Sequence, residues 1–111
     1  VLLTGQNTTD NFTLVNFYVV WENSWRYANG PANWDAVWVF VKYRIGAGPW
    51  LHASLNNTGH ITDSWVALEN GLLTPGIPYN SATNPVVGVF IYRNAPGTGS
   101  FLGSAHLRWN Y

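Results

Sequence analysis

The stretch VVGVFIYR at residues 86–93 decides the fold class. It consists mainly of β-branched and aromatic residues, which favour extended strands. The stretches FTLVNFYVVW at residues 12–21 and AVWVFVKYR at residues 36–44 have the same character. In all three, both alternating faces are mainly apolar, a pattern typical of a sheet that is covered on both sides. The sequence therefore predicts three clear strands in a β-sheet protein.

Turn signals separate these strands from four weaker ones, which are predicted at residues 1–4, 50–55, 61–68 and 101–110. Clusters of Gly, Pro and Asn lie at residues 28–31, 46–49, 56–59, 74–78, 83–85 and 95–99. No stretch keeps apolar residues at helical spacing for three turns without meeting Gly or Pro. About seven strands at this spacing predict one all-β domain over residues 1–111, an antiparallel β-sandwich of immunoglobulin-like or jelly-roll-like type.

The alternation within residues 36–44 separates two strand faces. Val37, Val39, Val41 and Tyr43 share one face. The other face begins with two aromatic residues and ends with two cations, as in a strand that emerges from cover at its C-terminal end. Aromatic residues inside the predicted strands are interpreted as core packing, and these are Phe17, Trp21, Trp38, Phe40, Trp65 and Phe90.

Composition excludes several classes of protein. Five Lys and Arg balance five Asp and Glu, and charged residues make up 9% of the 111 residues, whereas an ordinary soluble domain has about 25%. Aromatic residues make up 16%, far too many for a disordered tail. Five scattered cations do not match a row of phosphates, so a nucleic-acid partner is not expected. Membrane insertion is not expected either, because no apolar run reaches about 18 residues.

Catalytic and metal-binding motifs are not found in the sequence. The three His, at 52, 60 and 106, do not form a His-x-His or His-Glu-x-x-His pattern, and there is no Cys. The Gly-x-Ser-x-Gly turn of many serine hydrolases is also missing. Five scattered carboxylates are a poor basis for the facing acid pair of a glycosidase. We therefore expect a protein that is not an enzyme and that has neither a metal site nor a cofactor.

The location of the protein is inferred from its polar residues and from its lack of Cys and Met. Asn and Thr supply much of the polarity, and the absence of Cys and Met suits an oxidising exterior. Asn-x-Ser/Thr triplets at Asn7, Asn11 and Asn56 are candidate glycosylation sites. The expected location is therefore extracellular or at the cell surface.

Aromatic residues near the turns are the candidate binding residues, namely Trp25, Arg26, Tyr27, Trp34 and Trp50. Three interpretations remain open for them. They cap the open ends of the sandwich, they anchor a protein interface, or they stack on sugar rings.

The first residues are candidates for exchange between subunits. Val1, Leu2, Leu3 and Thr4 form a short apolar segment that is followed by the polar residues 6–11. Such a segment can add as a strand to the sheet of a neighbouring copy, and head-to-tail contacts of this kind build filaments. A net charge of zero removes the repulsion that keeps proteins monomeric.

Five strings of residues carry a resemblance to a known group of proteins. They are LTGQN at 3–7, WENSWR at 21–26, NWDAVWVFVKYR at 33–44, GVFIYR at 88–93 and LRWNY at 107–111. Together they resemble an uncharacterised β-rich module of bacterial secreted and cell-surface proteins. This module often lies N-terminal to a formylglycine-generating-enzyme-like (sulfatase-modifying factor) domain. The resemblance covers nearly the whole chain and implies an exported accessory domain, but it brings no catalytic or ligand residues with it.

Taken together, these features predict a non-enzymatic extracellular structural module that associates with copies of itself, as the subunit of a surface filament or layer. The alternative is a carbohydrate-binding or adhesion module that uses the exposed aromatic residues to bind glycans. A third possibility is an accessory domain that presents a neighbouring enzyme.

Overall fold

The computed structural model describes residues 1–28 and 33–111, and the regular structure among them is all β. The strands are β1 (Leu2–Asn7), β2 (Phe12–Tyr27), β3 (Asn33–Trp34), β4 (Val37–Val39), β5 (Lys42–Tyr43), β6 (Leu51–His52), β7 (Ser54–Leu55), β8 (Ile61–Thr62), β9 (Val66–Leu72), β10 (Val86–Arg93) and β11 (Gly97–Asn110). All strand pairs are antiparallel, which confirms the predicted all-β antiparallel class. Residues 29–31 of the predicted turn at 28–31 lie outside the described residues.

The strands are connected into one nine-stranded sheet and one two-stranded sheet. Nine strands are hydrogen-bonded in the order β1-β2-β11-β7-β10-β4, with β3 on β2, β8 on β11 and β9 on β10. Strands β5 and β6 form a separate two-stranded sheet. Within the large sheet, β7 joins two long strands, because Leu55 pairs with Val86 on one side and with Trp109 on the other. The predicted strand count of about seven is therefore not confirmed.

Strand bounds follow pairing partners more than local composition. The stretch at 86–93 is a strand over its full predicted length, whereas residues 36–44 divide into β4, which pairs with β10, and β5, which pairs with β6. Strands β2 and β11 both run further than predicted, because they pair with each other from Phe12↔Asn110 to Arg26↔Gly97. A bulge in β2 interrupts this ladder, because Glu22 and Asn23 together lie opposite Ser100, and Asn23 has a φ of 58°, in the left-handed region.

The core lies between the inward faces of β10 and β11. Alternate residues of these strands are buried, as the period of two in a strand requires. The buried cluster consists of Leu55, Val66, Val86, Val89, Ile91, Phe101, Ala105 and Leu107. Of the two predicted faces of residues 36–44, the one with Val37, Val39 and Val41 is turned inward, because these three residues pack against this cluster.

The outward faces are less covered than the apolar sequence predicts. Trp38, Phe40, Trp65 and Phe90 are 40–53% exposed, so their assignment to the core is wrong. Phe17 and Trp21, by contrast, do pack against the core cluster. The apolar residues on both strand faces predicted cover on both sides, but the chain places its core on one side of these strands only.

Candidate functional site

Arg26 and Trp34 form a compact cluster with Tyr92. Strand β3 pairs with the end of β2 so that Arg26 lies opposite Trp34. The guanidinium carbon of Arg26 is 4.4 Å from the Trp34 ring centroid and 5.7 Å from that of Tyr92, and the two rings stack at 5.6 Å. A guanidinium nitrogen of Arg26 also donates to the carbonyl oxygen of Arg93 at 2.7 Å. These two candidate residues are thus already engaged by their own chain.

Trp25 and Tyr27 alternate with Arg26 along β2, so they lie on the opposite face of that strand. Their rings stack on each other with centroids 5.8 Å apart, and Tyr27 is exposed. The structure therefore divides the four candidates near this turn into two groups on two faces.

A partly buried hydrogen-bond network joins β2, β10 and Asp35 at the same end of the molecule. The Asp35 carboxylate accepts from Nε1 of Trp21 at 3.0 Å, from Oγ of Ser24 at 3.2 Å and from the backbone N–H of Trp25 at 3.2 Å. The Ser24 hydroxyl in turn accepts from Nε of Arg93 at 3.0 Å. Ser24 is fully buried, so its hydroxyl links a carboxylate to a guanidinium instead of facing a substrate. Sequence reasoning missed this network, since its members are dispersed between residues 21 and 93.

Trp50 lies in a groove between the edge strand β1 and the small β5–β6 sheet. The groove has a volume of about 870 Å³, and its side chains include Gln6, Tyr43, Arg44, Trp50, Trp109 and Tyr111. The Tyr43 and Trp109 rings are 4.8 Å apart, and those of Trp109 and Tyr111 are 5.9 Å apart. Three segments distant in sequence thus meet around one candidate residue.

The four residues proposed for strand exchange lie at the start of β1. This strand forms a hairpin with β2, in which Leu2 pairs with Asn16 and Thr4 with Leu14, and Val1 precedes it fully exposed. Leu3 faces the groove. Among the described residues, β1 pairs on one side only, so it presents a free hydrogen-bonding edge.

The three glycosylation triplets differ in their side-chain contacts. The Asn7 Oδ1 accepts from two backbone N–H groups of its own turn. The Asn56 amide nitrogen donates to Thr58 at 3.0 Å, while its oxygen accepts from Tyr79 and Asn110. Asn11 is exposed with a φ of 53°. A glycan replaces an amide hydrogen, so it would disturb the bonded Asn56 more than the exposed Asn11.

The outward side of β2 and β11 is an uncovered apolar surface, which we call the outer face. It runs across four strands through the pairs Leu2↔Asn16, Val20↔Leu102, Asn16↔His106 and His106↔Ile61. Tyr18 lies on the same face, between Asn16 and Val20 on β2. Leu2, Tyr18, Val20, Ile61 and Leu102 are each 53–72% exposed. Sequence reasoning missed this surface because it took the apolar residues to be covered within the domain.

No three His, Asp or Glu residues among residues 1–28 and 33–111 come together as metal ligands. Burial lowers the pKa of His60, and its Nδ1 accepts a hydrogen bond from the backbone N–H of Arg108 at 3.0 Å. No helix that is long and apolar enough to cross a membrane occurs in these residues.

The fold and these surfaces define the class as an all-β domain with an uncovered apolar face and a separate aromatic groove. No protein-family model, curated protein or solved structure matches the chain. The resemblance to the module of bacterial secreted and cell-surface proteins therefore stays a prediction.

Proposed function

We propose that this protein is a non-enzymatic structural module that associates with copies of itself through the outer face. It would serve as the subunit of an extracellular filament or surface layer. The observation that carries the proposal is the apolar outer face that the chain leaves uncovered. The proposed subunit is a β-sandwich, in which the inward faces of β10 and β11 pack on one shared core.

Apolar exposure on the outer face is continuous rather than scattered. Val20 and Leu102 are direct cross-strand partners, and Tyr18 lies two residues from Val20 on the same face. Single exposed apolar residues are normal on a protein surface, whereas a contiguous patch of several hundred Å² usually marks an interaction site. The position of these residues on neighbouring strands therefore supports an interface.

The polar residues of the outer face suit a second copy of the same chain. Asn16, Ser104 and His106 lie among the apolar residues, and none of them is an acid or a permanent cation. The nearest charged groups are of opposite sign, since the Asp63 carboxylate accepts from Ser104 at 2.8 and 3.0 Å and Arg108 lies two residues from His106 on β11, so charge of a single sign does not border the face. The zero formal net charge removes long-range repulsion between copies.

The size of the outer face and a second contact surface on β1 together allow a polymer of subunits to form. A standard interface buries about 800 Å² on each partner, and the outer face spans strands β1, β2, β11 and β8. Contact between two outer faces is self-complementary and closes after two copies. The free edge of β1 supplies a second self-complementary contact by antiparallel strand pairing. Two different contacts of this kind link each subunit to two neighbours and give a filament when the two-fold axes do not close a ring.

We place the interface on the outer face rather than on the Trp34 cluster, because the Trp34 ring already contacts Arg26 and Tyr92 of its own chain. An extracellular location is part of the proposal. It is supported by the lack of Cys and Met and by a surface that depends on amides and hydroxyls.

Sedimentation velocity with light scattering tests the proposal. The native protein should form species larger than its 12.4 kDa monomer. Val20→Lys places a charge in the outer face and should break the polymer into particles no larger than the dimer that pairs through β1, because a buried unpaired charge is strongly unfavourable. Ile77→Lys is the matched control, since Ile77 is 54% exposed against 60% for Val20 but lies in the loop before β10, and this variant should keep the native size. A native protein that stays monomeric at every concentration would contradict the proposal.

A further inference from the structure

We infer that the groove between β1 and the β5–β6 sheet is a binding site for an acidic saccharide. The groove lies apart from the outer face, so this inference goes beyond self-association. It rests on three features of the groove, which are its aromatic rings, its free polar groups and its single charge.

The aromatic rings form a prearranged platform. Tyr43 contacts Trp109, and Trp109 contacts Tyr111, so each ring is held by the next one. Trp109 is fixed further by its backbone pairing with Thr13 and Leu55. Sugar rings present apolar C–H faces, which stack on such rings, and a rigid platform loses little entropy when the sugar binds.

Trp50 contributes the most exposed ring of the groove. Its side chain is 60% exposed, although the ring lies beside apolar neighbours. The Arg44 guanidinium carbon lies 4.7 Å from the Trp50 ring centroid. This cation–π contact orients the guanidinium while it leaves the edges of the group with their N–H donors available.

Polar groups beside the rings have unused hydrogen-bonding capacity. Nε2 of Gln6 donates to the Tyr111 hydroxyl oxygen at 3.0 Å. That bond leaves the Tyr111 hydroxyl proton and the Gln6 carbonyl oxygen for other partners. One donor and one acceptor next to aromatic rings is the combination that recognises sugar hydroxyls.

Charge selects an acidic sugar over a neutral one. Arg44 is the single charged residue among those that line the groove. Arg26 and Arg93 donate to backbone carbonyls, whereas Arg44 makes no such bond within residues 1–28 and 33–111. Because a guanidinium fork matches a carboxylate in two parallel hydrogen bonds, the complementary ligand is a saccharide that carries a carboxylate.

The volume of the groove agrees with an oligosaccharide. A volume of about 870 Å³ lies in the upper part of the range of about 300–1,000 Å³ for small-molecule sites. We therefore choose trigalacturonic acid as the acidic probe and galactotriose as its neutral counterpart.

Titration of the native protein with each probe, followed by tryptophan fluorescence and calorimetry, tests the inference. Trigalacturonic acid should bind about tenfold more tightly than galactotriose, and added salt should weaken the acid alone. Arg44→Gln should reduce the affinity for the acid to that for the neutral sugar. Trp50→Ala should abolish saturable binding of both sugars, and Trp34→Ala is the control that should change neither affinity.

Three results would overturn the inference. They are the absence of saturable binding of either sugar to the native protein, an undiminished preference for the acid in Arg44→Gln, and an equal loss in Trp34→Ala. Sedimentation separates this test from that of self-association. Val20→Lys should keep its affinity for trigalacturonic acid, while Arg44→Gln should keep the native particle size.

Discussion

Two leucines of strand β11 show how differently the two faces of one strand are used. Leu107 is 0% exposed and lies in the core cluster, whereas Leu102 is 56% exposed on the outer face. Both are in the same strand and both pair with β2, Leu107 with Val15 and Leu102 with Val20. The difference shows that side-chain type does not decide burial in this protein. Burial depends instead on whether another strand packs against that face, and β10 packs against only one face of β11.

The largest expected effect on stability is that of Leu107→Ala, and Leu102→Ala on the other face of the same strand is its matched comparison. Leu107→Ala should lower the free energy of unfolding by about 2–5 kcal/mol, because it removes packed methyl groups and leaves a cavity. Leu102→Ala should change it by no more than about 0.5 kcal/mol, since its side chain is exposed. Urea unfolding under conditions in which both variants are monomeric measures the difference. Equal losses in the two variants would show that the outer face is covered within the monomer.

A second prediction concerns Trp38, which lies on the outward side of β4. Its ring crosses Gly71 and Gly88, and a Cβ added at Gly88 would also lie 2.8 Å from the Val39 carbonyl oxygen. Gly88→Ala should therefore lower the free energy of unfolding by about 1–3 kcal/mol through overpacking.

The matched measurement for this second prediction is a double-mutant cycle. Adding Trp38→Ala removes the ring but leaves the carbonyl contact, so the double variant should recover part of the loss. If the free-energy changes of Gly88→Ala and Trp38→Ala simply add, the Trp38 ring is not packed against Gly88.

The smallest expected effect is a loss of stability at low pH that depends on His60. Burial lowers the pKa of His60 in the folded protein below the ordinary value of 6.5. The unfolded chain therefore binds a proton first as the pH falls. Stability is complete above about pH 6.5 and declines as the pH falls toward the folded pKa. His60→Gln should flatten this decline in chemical unfolding curves.

The control for the pH prediction is His106→Gln, because His106 lies on the outer face rather than beside Arg108. This variant should retain the decline of the native protein. A decline that persists unchanged in His60→Gln would contradict the assignment to His60.

Local sequence predicted a strand correctly where a single neighbouring strand pairs with the whole stretch. The strand at residues 86–93 pairs with β9 over its full length, and its predicted ends agree with the structure. Residues 36–44 failed as a single strand because Val37–Val39 pairs with β10, while Lys42–Tyr43 pairs with β6. The alternation of the two faces was still predicted correctly in that stretch, since alternation depends only on extended backbone.

The candidate sites were predicted less completely. Trp50 was selected from its position after a turn, but the sequence did not indicate that Tyr43, Trp109 and Tyr111 would share its groove. Those residues meet because β11 and the β5–β6 sheet approach each other in three dimensions. The same holds for the buried contact between Asp35 and Ser24, which depends on the pairing of β2 with β3.

By itself, the sequence determined that the chain is all β, that strands lie at residues 12–21 and 86–93, and which residues of 36–44 share a face. These properties follow from β-branched residues, turn residues and a period of two, all of which act within a few residues of the chain. Only the tertiary structure decided which face became the core, which became the outer face and which rings met in the groove. Those outcomes depend on contacts between strands far apart in sequence, and residues on either side of a strand can be equally apolar until a neighbour covers one of them.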